Sequence, residues 1–237
     1  MAGIYLHIPF CKQACTYCNF HFSTLLKTKE EVLKAMLTEI RLQQNFFPDK
    51  TLIETIYFGG GTPSMLSTAE LNSLLNELQK YFTITEHPEI TLEANPDDLS
   101  REYLTELKKE TAINRFSIGV QSFFDEDLQY MHRAHNAAEA IHSIKHAQEI
   151  GFENLSVDLI YGTPTMSNEN WKKNLQTVFD LKVPHISCYA LTVEEKTVLA
   201  SQIKKQKTVA PEDEKMAQQF SILLEEMNNH HYIDFEI

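Results

Sequence analysis

The chain has 237 residues, which is long enough for one large hydrophobic core or two modest ones. Its 33 acidic residues outnumber the 21 basic ones, and the resulting net charge of −12 opposes binding to a phosphate backbone. No apolar run reaches the roughly 18 residues of a membrane helix. The first residues, MAGIYLHIPF, lack the basic segment of a signal peptide. We therefore expect neither a nucleic-acid-binding nor a transmembrane, secreted or collagen-like protein.

Strands and helices are predicted to alternate along the chain, from apolar runs and helical periodicity respectively. The first half is predicted to contain a strand over residues 4–8, a helix over 29–46, a strand over 55–58, a helix after Ser67, a strand over 89–93 and a short helix after Ser100. The second half is predicted to contain a strand over 115–120, a helix ending at Gly151, a strand over 155–160, a helix over 171–181, a strand over 185–191 and, beyond a Lys-rich stretch at 202–208, a helix over 211–228.

Local signals support several of these helices. Val32, Met36 and Ile40 recur every four residues and predict the buried stripe of the first helix. Ser67 is a favourable N-cap because Glu70 follows three residues later, and leucines at 71, 74, 75 and 78 continue the helical pattern. Gly151 is predicted to cap a helix at its C-terminus.

Six strand–helix units in strict alternation predict an α/β fold with a parallel sheet. Because six units are fewer than the eight of a closed barrel, a partial (β/α)6 barrel is favoured over a complete one. A doubly wound sheet is the alternative. We predict one domain over residues 1–237. Residues 232–237 alternate apolar and polar like a strand and end without a polar tail, so we expect a chain that lacks a C-terminal domain.

Three of the four cysteines lie within eight residues of one another, directly after the first strand. These are Cys11, Cys15 and Cys18, whereas Cys188 is far downstream. A disulfide framework would spread its cysteines over the fold, so this spacing predicts a metal or cluster site in a reducing compartment, and hence a cytoplasmic protein.

Three closely spaced thiolates admit more than one interpretation. A [4Fe–4S] cluster on three cysteines would leave one iron open to an exogenous ligand, and we favour this. Zinc would need a fourth ligand such as His7, His21 or Cys188. Three buried, unreactive cysteines are the third alternative, but a short loop cannot easily bury three side chains together.

Other unusual residues gather at the ends of the predicted strands, where parallel α/β sheets carry their functional sites. Three of only seven glycines are consecutive, at Gly59, Gly60 and Gly61, as expected where the backbone approaches a partner closely. Taken alone, a glycine run usually forms a turn, and a single charged residue usually lies on the solvated surface. Their shared location predicts a ligand site. The other residues at these ends are Thr62, Pro63, Glu93, Gln121, Asp158, Tyr189 and Ala190.

The spacing C-x3-C-x2-C, with Tyr17 just before the last cysteine, resembles the motif of the radical SAM superfamily. That resemblance implies a [4Fe–4S] cluster on Cys11, Cys15 and Cys18. It also implies that S-adenosylmethionine (SAM) chelates the open iron through its amino and carboxylate groups. Reduction of such a cluster cleaves the sulfonium to a 5′-deoxyadenosyl radical.

Six segments narrow the resemblance to the oxygen-independent coproporphyrinogen III oxidase family, and within it to a branch of haem chaperones. They are IYLHIPFCKQACTYCNF, IYFGGGTPSML, LEANPDDL, FSIGVQSFFDEDLQYMHRAH, VDLIYGTP and ISCYALTVE, which together span nearly the whole chain. By matching motif positions, the resemblance implies SAM contacts. The residues concerned are Tyr5, Tyr17, Gly60, Gly61, Thr62, Glu93, Gln121, Arg133, Asp158 and Ala190.

Two departures favour the chaperone branch over the oxidases. The oxidases resemble C-x3-C-x2-C-x-C, whereas this chain has Phe20 at the last position. The oxidases also carry an N-terminal segment before the first strand. In this sequence the first predicted strand begins almost at once. The resemblance then implies binding of haem and its delivery to haem-requiring proteins. Through some of these acceptors the protein would contact a membrane peripherally. Oxidative decarboxylation of coproporphyrinogen III is the alternative, so whether the protein is an enzyme stays open.

No haem ligand can be assigned from the sequence. Haem iron takes His, Cys, Met or Tyr ligands, and the chain offers ten histidines. His7 and His21, which flank the cysteine segment, are the first to test. The remaining candidates considered are His132, His135, His230 and His231. Cys188 lies in an apolar strand and is interpreted as structural.

Overall fold

The computed structural model describes residues 2–48 and 51–233, and it contains a six-stranded sheet. The strands are β1 (Ala2–Ile8), β2 (Leu52–Gly60), β3 (Thr83–Ala94), β4 (Arg115–Gln121), β5 (Asn154–Tyr161) and β6 (His185–Ala190). Their order in the sheet is β1-β2-β3-β4-β5-β6, and β1 with β2, β2 with β3 and β5 with β6 pair in parallel. A doubly wound sheet reverses its strand order at a switch point. This consecutive order therefore confirms the α/β prediction and excludes that alternative.

Eight α-helices connect or follow the strands among the described residues. They are α1 (Lys29–Leu42), α2 (Thr68–Tyr81), α3 (Arg101–Glu110), α4 (Asp125–Tyr130), α5 (Ala137–Ile150), α6 (Asn168–Asp180), α7 (Val198–Lys204) and α8 (Asp213–Asn229). The two short helices α4 and α7 were not predicted. With six and seven residues, each is too short to establish a clear helical periodicity.

The prediction that the first helix extends to residue 46 is wrong, because α1 ends at Leu42. The Gln43 N–H still bonds to the Glu39 carbonyl at 2.9 Å, but turns and bends follow. Phe47 then packs edge-on against Phe82, with ring centroids 5.9 Å apart. This tertiary contact directs the chain away from the helix axis, which helix propensity alone does not reveal.

The predicted caps are confirmed. The Ser67 side chain accepts a hydrogen bond from the Glu70 backbone N–H, and the Glu70 carboxylate accepts one from the Ser67 N–H, which completes a capping box. All four leucines of the predicted stripe on α2 are buried. Gly151 adopts the left-handed φ of +95° directly after α5.

Two compact units make up the chain. The first comprises Met1–Lys12, Phe20–Ser117 and His146–Asn154, and it buries apolar residues of β1, β2, α2 and β3. The second comprises Gln13–Asn19, Ile118–Lys145 and Leu155–Ile237. Its described residues include a buried apolar cluster formed by Leu128, Met131, Ile160, Leu191 and Leu199.

Three predictions remain: the strand at the end of the chain, the domain organisation and the absence of a membrane-spanning helix. Residues 234–237 of the segment predicted as a strand lie outside the described residues, and Tyr232 and Ile233 are not in a strand. The single domain over 1–237 and the missing C-terminal domain stay predictions. Among the described helices, none combines the length and apolar character that crossing a bilayer requires.

Candidate functional site

The glycine run in the first unit ends β2 against the backbone that leaves β1. The Gly61 N–H donates to the Ile8 carbonyl at 2.9 Å, and the Thr62 N–H donates to the Phe10 carbonyl at 2.7 Å. A Cβ on Gly61 would lie 2.6 Å from the Phe10 carbonyl oxygen. Gly60 has a φ of +108°, and a Cβ there would meet the His7 ring. The close backbone approach predicted for these glycines is therefore present, with β1 as the neighbour.

Glu93, at the end of β3, is bound to this run. Its carboxylate accepts hydrogen bonds from the Tyr57 hydroxyl at 2.8 Å and from the Gly60 backbone N–H at 3.0 Å. Burial raises the pKa of Glu93, although both of these donors and the nearby His7 oppose that shift. The structure therefore holds a partly desolvated carboxyl group beside a half-buried backbone turn.

Tyr5 completes the predicted residues of the first unit. Its ring stacks on Tyr57 with centroids 5.8 Å apart, and its side chain is 57% exposed. Burial of the remainder and the charge of Glu93 raise the pKa of the Tyr5 hydroxyl. That hydroxyl lies 3.3 Å from Nδ1 of His7, whose Nε2 lies 3.2 Å from the His21 carbonyl oxygen. Within this unit the structure thus brings Tyr5, Gly60, Gly61, Thr62 and Glu93 together.

Sequence reasoning missed a polar group beside these residues. Lys12, which directly follows Cys11, forms an ion pair with Asp98, whose side chain is 2% exposed. The other Asp98 oxygen accepts a hydrogen bond from the Ser64 hydroxyl at 2.7 Å. Burial raises the pKa of Asp98 despite the Lys12 and Ser64 donors. The only signal for it was the LEANPDDL segment, in which nothing distinguishes Asp98 from a surface residue.

In the second unit, the middle of the cysteine segment is fastened to the residues after α4 and to the start of α7. The Thr16 N–H donates to the Met131 carbonyl at 3.1 Å, and the Leu199 N–H donates to the Thr16 carbonyl at 2.8 Å. The Cys18 N–H donates to the Cys15 carbonyl at 3.4 Å, which makes a turn between these two cysteines. The loop that carries Cys15 and Cys18 is therefore held in place by backbone hydrogen bonds.

Arg133 links this segment to β4. One guanidinium nitrogen donates to Sγ of Cys15 at 3.2 Å, and the other donates to the Gly119 carbonyl at 2.7 Å. Tyr17 packs against the apolar cluster of the second unit. Burial raises the pKa of Tyr17, Arg133 lowers it, and the neighbouring Cys15 and Cys18 raise it further. A fixed cation thus stands beside Cys15.

Gln121 ends β4 in a strained conformation. Its φ is +69°, and the Ser122 N–H donates to the Val120 carbonyl at 2.9 Å, as in a γ-turn. Such backbone costs on the order of 1–3 kcal/mol and is concentrated at functional sites. Gln121 is 8% exposed, and its side-chain Oε1 is buried with no hydrogen-bond partner. A buried amide oxygen of this kind is available to accept a hydrogen bond from a ligand.

The last two predicted contacts lie on β5 and β6. Asp158 is half-buried within β5, three residues before the end of that strand, and pairs in register with Ser187. Ala190 is exposed at the end of β6, opposite Tyr161. Burial, together with the charge of Asp158, raises the pKa of Cys188 well above its usual range, so this thiol stays protonated near neutral pH.

All four cysteines are free thiols and half-buried. Among the described residues, no three His, Cys, Asp or Glu side chains are grouped closely enough to hold a metal ion. Cys11 belongs to the first unit, where its N–H donates to the Ser23 carbonyl at 3.1 Å, and Cys15 and Cys18 belong to the second. Thiols are nevertheless the donors that iron–sulfur clusters require.

These features match a known class of protein. A family model described as the radical SAM superfamily matches residues 5–178, and the chain belongs to that superfamily. Membership implies a [4Fe–4S] cluster and SAM as cofactors. The donor types fit these groups: thiols are the donors that a cluster takes, and within the second unit the Arg133 guanidinium and the amide oxygen of Gln121 can pair with polar groups of SAM.

Among curated proteins, the chain is similar to several named heme chaperone HemW. It is 35% identical to the Bacillus subtilis protein over 241 aligned residues, covering 100% of this chain and 62% of that one. It is 34% identical to the Lactococcus lactis protein, covering 98% and 60% respectively. The chain thus spans about three fifths of the length of these relatives.

Two solved structures share the fold of this chain. Coproporphyrinogen III oxidase HemN from Escherichia coli, a radical SAM enzyme, superposes with a TM-score of 0.84 at 26% identity, over 97% of this chain and 52% of that one. Elp3 from Methanocaldococcus infernus superposes with a TM-score of 0.62 at 18% identity, over 92% and 53%. The second likeness concerns the fold alone.

Proposed function

We propose that this protein is a haem chaperone of the radical SAM type, which binds haem and delivers it to haem-requiring proteins. The observation that carries the proposal is the 35% identity to the Bacillus subtilis heme chaperone HemW over the whole of this chain. Phe20 also favours the chaperone branch, because the oxidase branch of the family that this sequence resembles carries a further cysteine at that position. The substrate is thus a porphyrin, and the partners are haem-acceptor proteins.

We propose Cys11, Cys15 and Cys18 as the ligands of the cluster. Superfamily membership and the C-x3-C-x2-C spacing support this assignment. When bound, the cluster supplies one open iron and an electron for reductive cleavage of SAM. Arg133 would orient the Cys15 thiol for assembly, because its guanidinium donates a hydrogen bond to Sγ of Cys15.

The SAM contacts proposed in the first unit fall around the glycine run. Gly60, Gly61 and Thr62 would present backbone to the aminoacyl group, since Gly60 and Gly61 carry no side chain of their own. Glu93 would accept from the ammonium group, and its two present donors hold it in place for that contact. Tyr5 would cover the cofactor with its exposed ring.

The contacts proposed in the second unit are polar groups at or near the ends of three strands. Gln121 would use its unpartnered amide oxygen, and Arg133 would pair with the carboxylate of SAM. Asp158 would accept from hydroxyl groups, Tyr17 would flank the cofactor near the cluster, and Ala190 would offer its backbone to the adenine. A cytoplasmic location is proposed from the free thiols and the cysteine spacing. Membrane contact is proposed only through acceptor proteins.

Oxidative decarboxylation of coproporphyrinogen III is the second candidate function. The TM-score of 0.84 with the Escherichia coli oxidase favours it specifically. However, the identity to that enzyme is 26%, against 35% for the Bacillus subtilis chaperone. The chaperone is therefore preferred.

One set of measurements tests both candidates. Protein prepared and reconstituted without oxygen is analysed for iron, sulfide and haem, and haem is titrated while its absorption band is followed. The chaperone requires iron and sulfide in equal amounts, stoichiometric haem binding and no turnover of coproporphyrinogen III. Formation of protoporphyrinogen over many turnovers would overturn the chaperone proposal in favour of the oxidase. A colourless protein holding zinc would overturn both.

A further inference from the structure

A buried carboxylate with no role in the proposed site lies behind Gln121. Asp127, on α4, is 1% exposed. Its Oδ2 accepts a hydrogen bond from the Ser122 hydroxyl at 2.7 Å, and its Oδ1 accepts bonds from the hydroxyls of Thr163 and Thr165. Carboxylate oxygens accept hydrogen bonds, so the three hydroxyl donors satisfy both oxygens of Asp127.

These hydroxyls come from the segments that follow two neighbouring strands. Ser122 is the first residue after β4, and Thr163 and Thr165 follow β5. Asp127 therefore fastens the carboxyl ends of both strands to α4. This is the sheet edge at which parallel α/β proteins place their ligands.

The Ser122 hydroxyl both donates and accepts hydrogen bonds in this arrangement. While it donates to Asp127, its oxygen accepts from the Phe124 N–H at 3.1 Å and from the Asn174 amide at 3.2 Å. Ser122 is also the residue whose N–H closes the strained turn around Gln121. Removing the carboxylate takes away the 2.7 Å acceptor of the serine hydroxyl, leaves it only the longer contact of 3.4 Å to Asn174 Oδ1, and loosens that turn.

We propose that Asp127 is a positioning residue, which holds Gln121 in its left-handed conformation so that the side-chain oxygen is presented to SAM. This inference rests on the proposed function, since SAM is the ligand to which it refers. Asp127 acts only through Ser122 and the turn. Its loss should therefore weaken SAM binding without removing the cluster.

The experiment measures two quantities on anaerobically reconstituted protein: the dissociation constant of SAM by equilibrium dialysis, and hydrogen–deuterium exchange of residues 118–124 without SAM. We expect Asp127→Ala to weaken SAM binding about tenfold and to accelerate exchange of the Ser122 amide. Asp127→Asn should restore both values, because its carbonyl still accepts from Ser122. Ser156→Ala is the matched control. It removes the hydrogen bond between the buried Ser156 hydroxyl and His185, the first residue of β6, and should change neither value.

A double-mutant cycle separates positioning from general loss of structure. In a Gln121→Leu background, Asp127→Ala should have no further effect on SAM binding, because the group that it positions is gone. An equal tenfold loss in that background, or unchanged exchange in Asp127→Ala, would overturn the proposal. If Asp127→Ala does not fold, Ser122→Ala is used in its place, because it removes the same hydrogen bond. If the wild type binds no SAM, the proposed function fails, and the exchange result alone decides whether Asp127 holds Gln121.

Discussion

The carboxylate of Glu93 accepts a hydrogen bond from the backbone N–H of Gly60, a residue 33 positions earlier that ends the adjacent strand. The contact joins the carboxyl ends of β2 and β3. Glu93 and the glycine run therefore belong to one site.

The raised pKa of Glu93 predicts a pH dependence of stability. Because the folded state binds this proton more tightly than the unfolded state does, wild-type stability should fall as pH rises from about 4.3 through the folded pKa. Glu93→Gln carries no titrating group and can keep both hydrogen bonds, since the Tyr57 hydroxyl can turn to accept. Its free energy of unfolding relative to wild type should therefore increase over that range. Urea denaturation between pH 4 and 8 measures the difference, and parallel curves for the two proteins would contradict the burial argument.

Replacing any one of Cys11, Cys15 or Cys18 with alanine should abolish the [4Fe–4S] cluster, because two protein thiolates cannot hold the cube. Cys188→Ala is the matched control and should keep its iron, since the buried Cys188 thiol stays protonated at neutral pH. Iron and sulfide analysis after anaerobic reconstitution gives the comparison. Equal iron loss in Cys188→Ala would mean that the ligand set is misassigned.

Gly61→Ala should destabilise the protein by about 1–3 kcal/mol, because the new Cβ would lie within 2.8 Å of the carbonyl oxygens of Ile8 and Phe10. Both are backbone atoms that cannot give way without breaking the hydrogen bonds between this turn and β1. Gly151→Asn is the control. Asparagine tolerates the left-handed conformation after a helix, and a Cβ there meets only the flexible end of Lys108. Urea denaturation compares them, and an equal cost at both positions would contradict the close-approach argument.

Ser67→Ala should lower the free energy of unfolding by about 1 kcal/mol, because it leaves the Glu70 N–H at the start of α2 without its side-chain acceptor. Ser67→Asp retains an acceptor oxygen at the N-cap and should stay close to wild type. Thermal denaturation of the three proteins measures the effect. A loss in Ser67→Asp as large as in Ser67→Ala would show that the cap does not account for the change.

The sequence determined by itself the features that depend on local periodicity and on short motifs. The six strands, the Ser67 cap and the leucine stripe of α2 follow from residues within a few positions of one another. The candidate site residues also came from the sequence, because consecutive glycines and closely spaced cysteines are rare enough to identify a family. Short helices such as α4 carried too little periodicity to be found in this way.

Only the tertiary structure decided which polar residues support the site. Asp98 and Asp127 look like ordinary surface carboxylates in the sequence, yet folding buries the first beside Lys12 and the second among three hydroxyls. The physical reason is that the cost of burying a carboxylate depends on donors supplied by distant segments. Those donors meet only after the strands have paired. The end of α1 depended in the same way on Phe47 reaching Phe82.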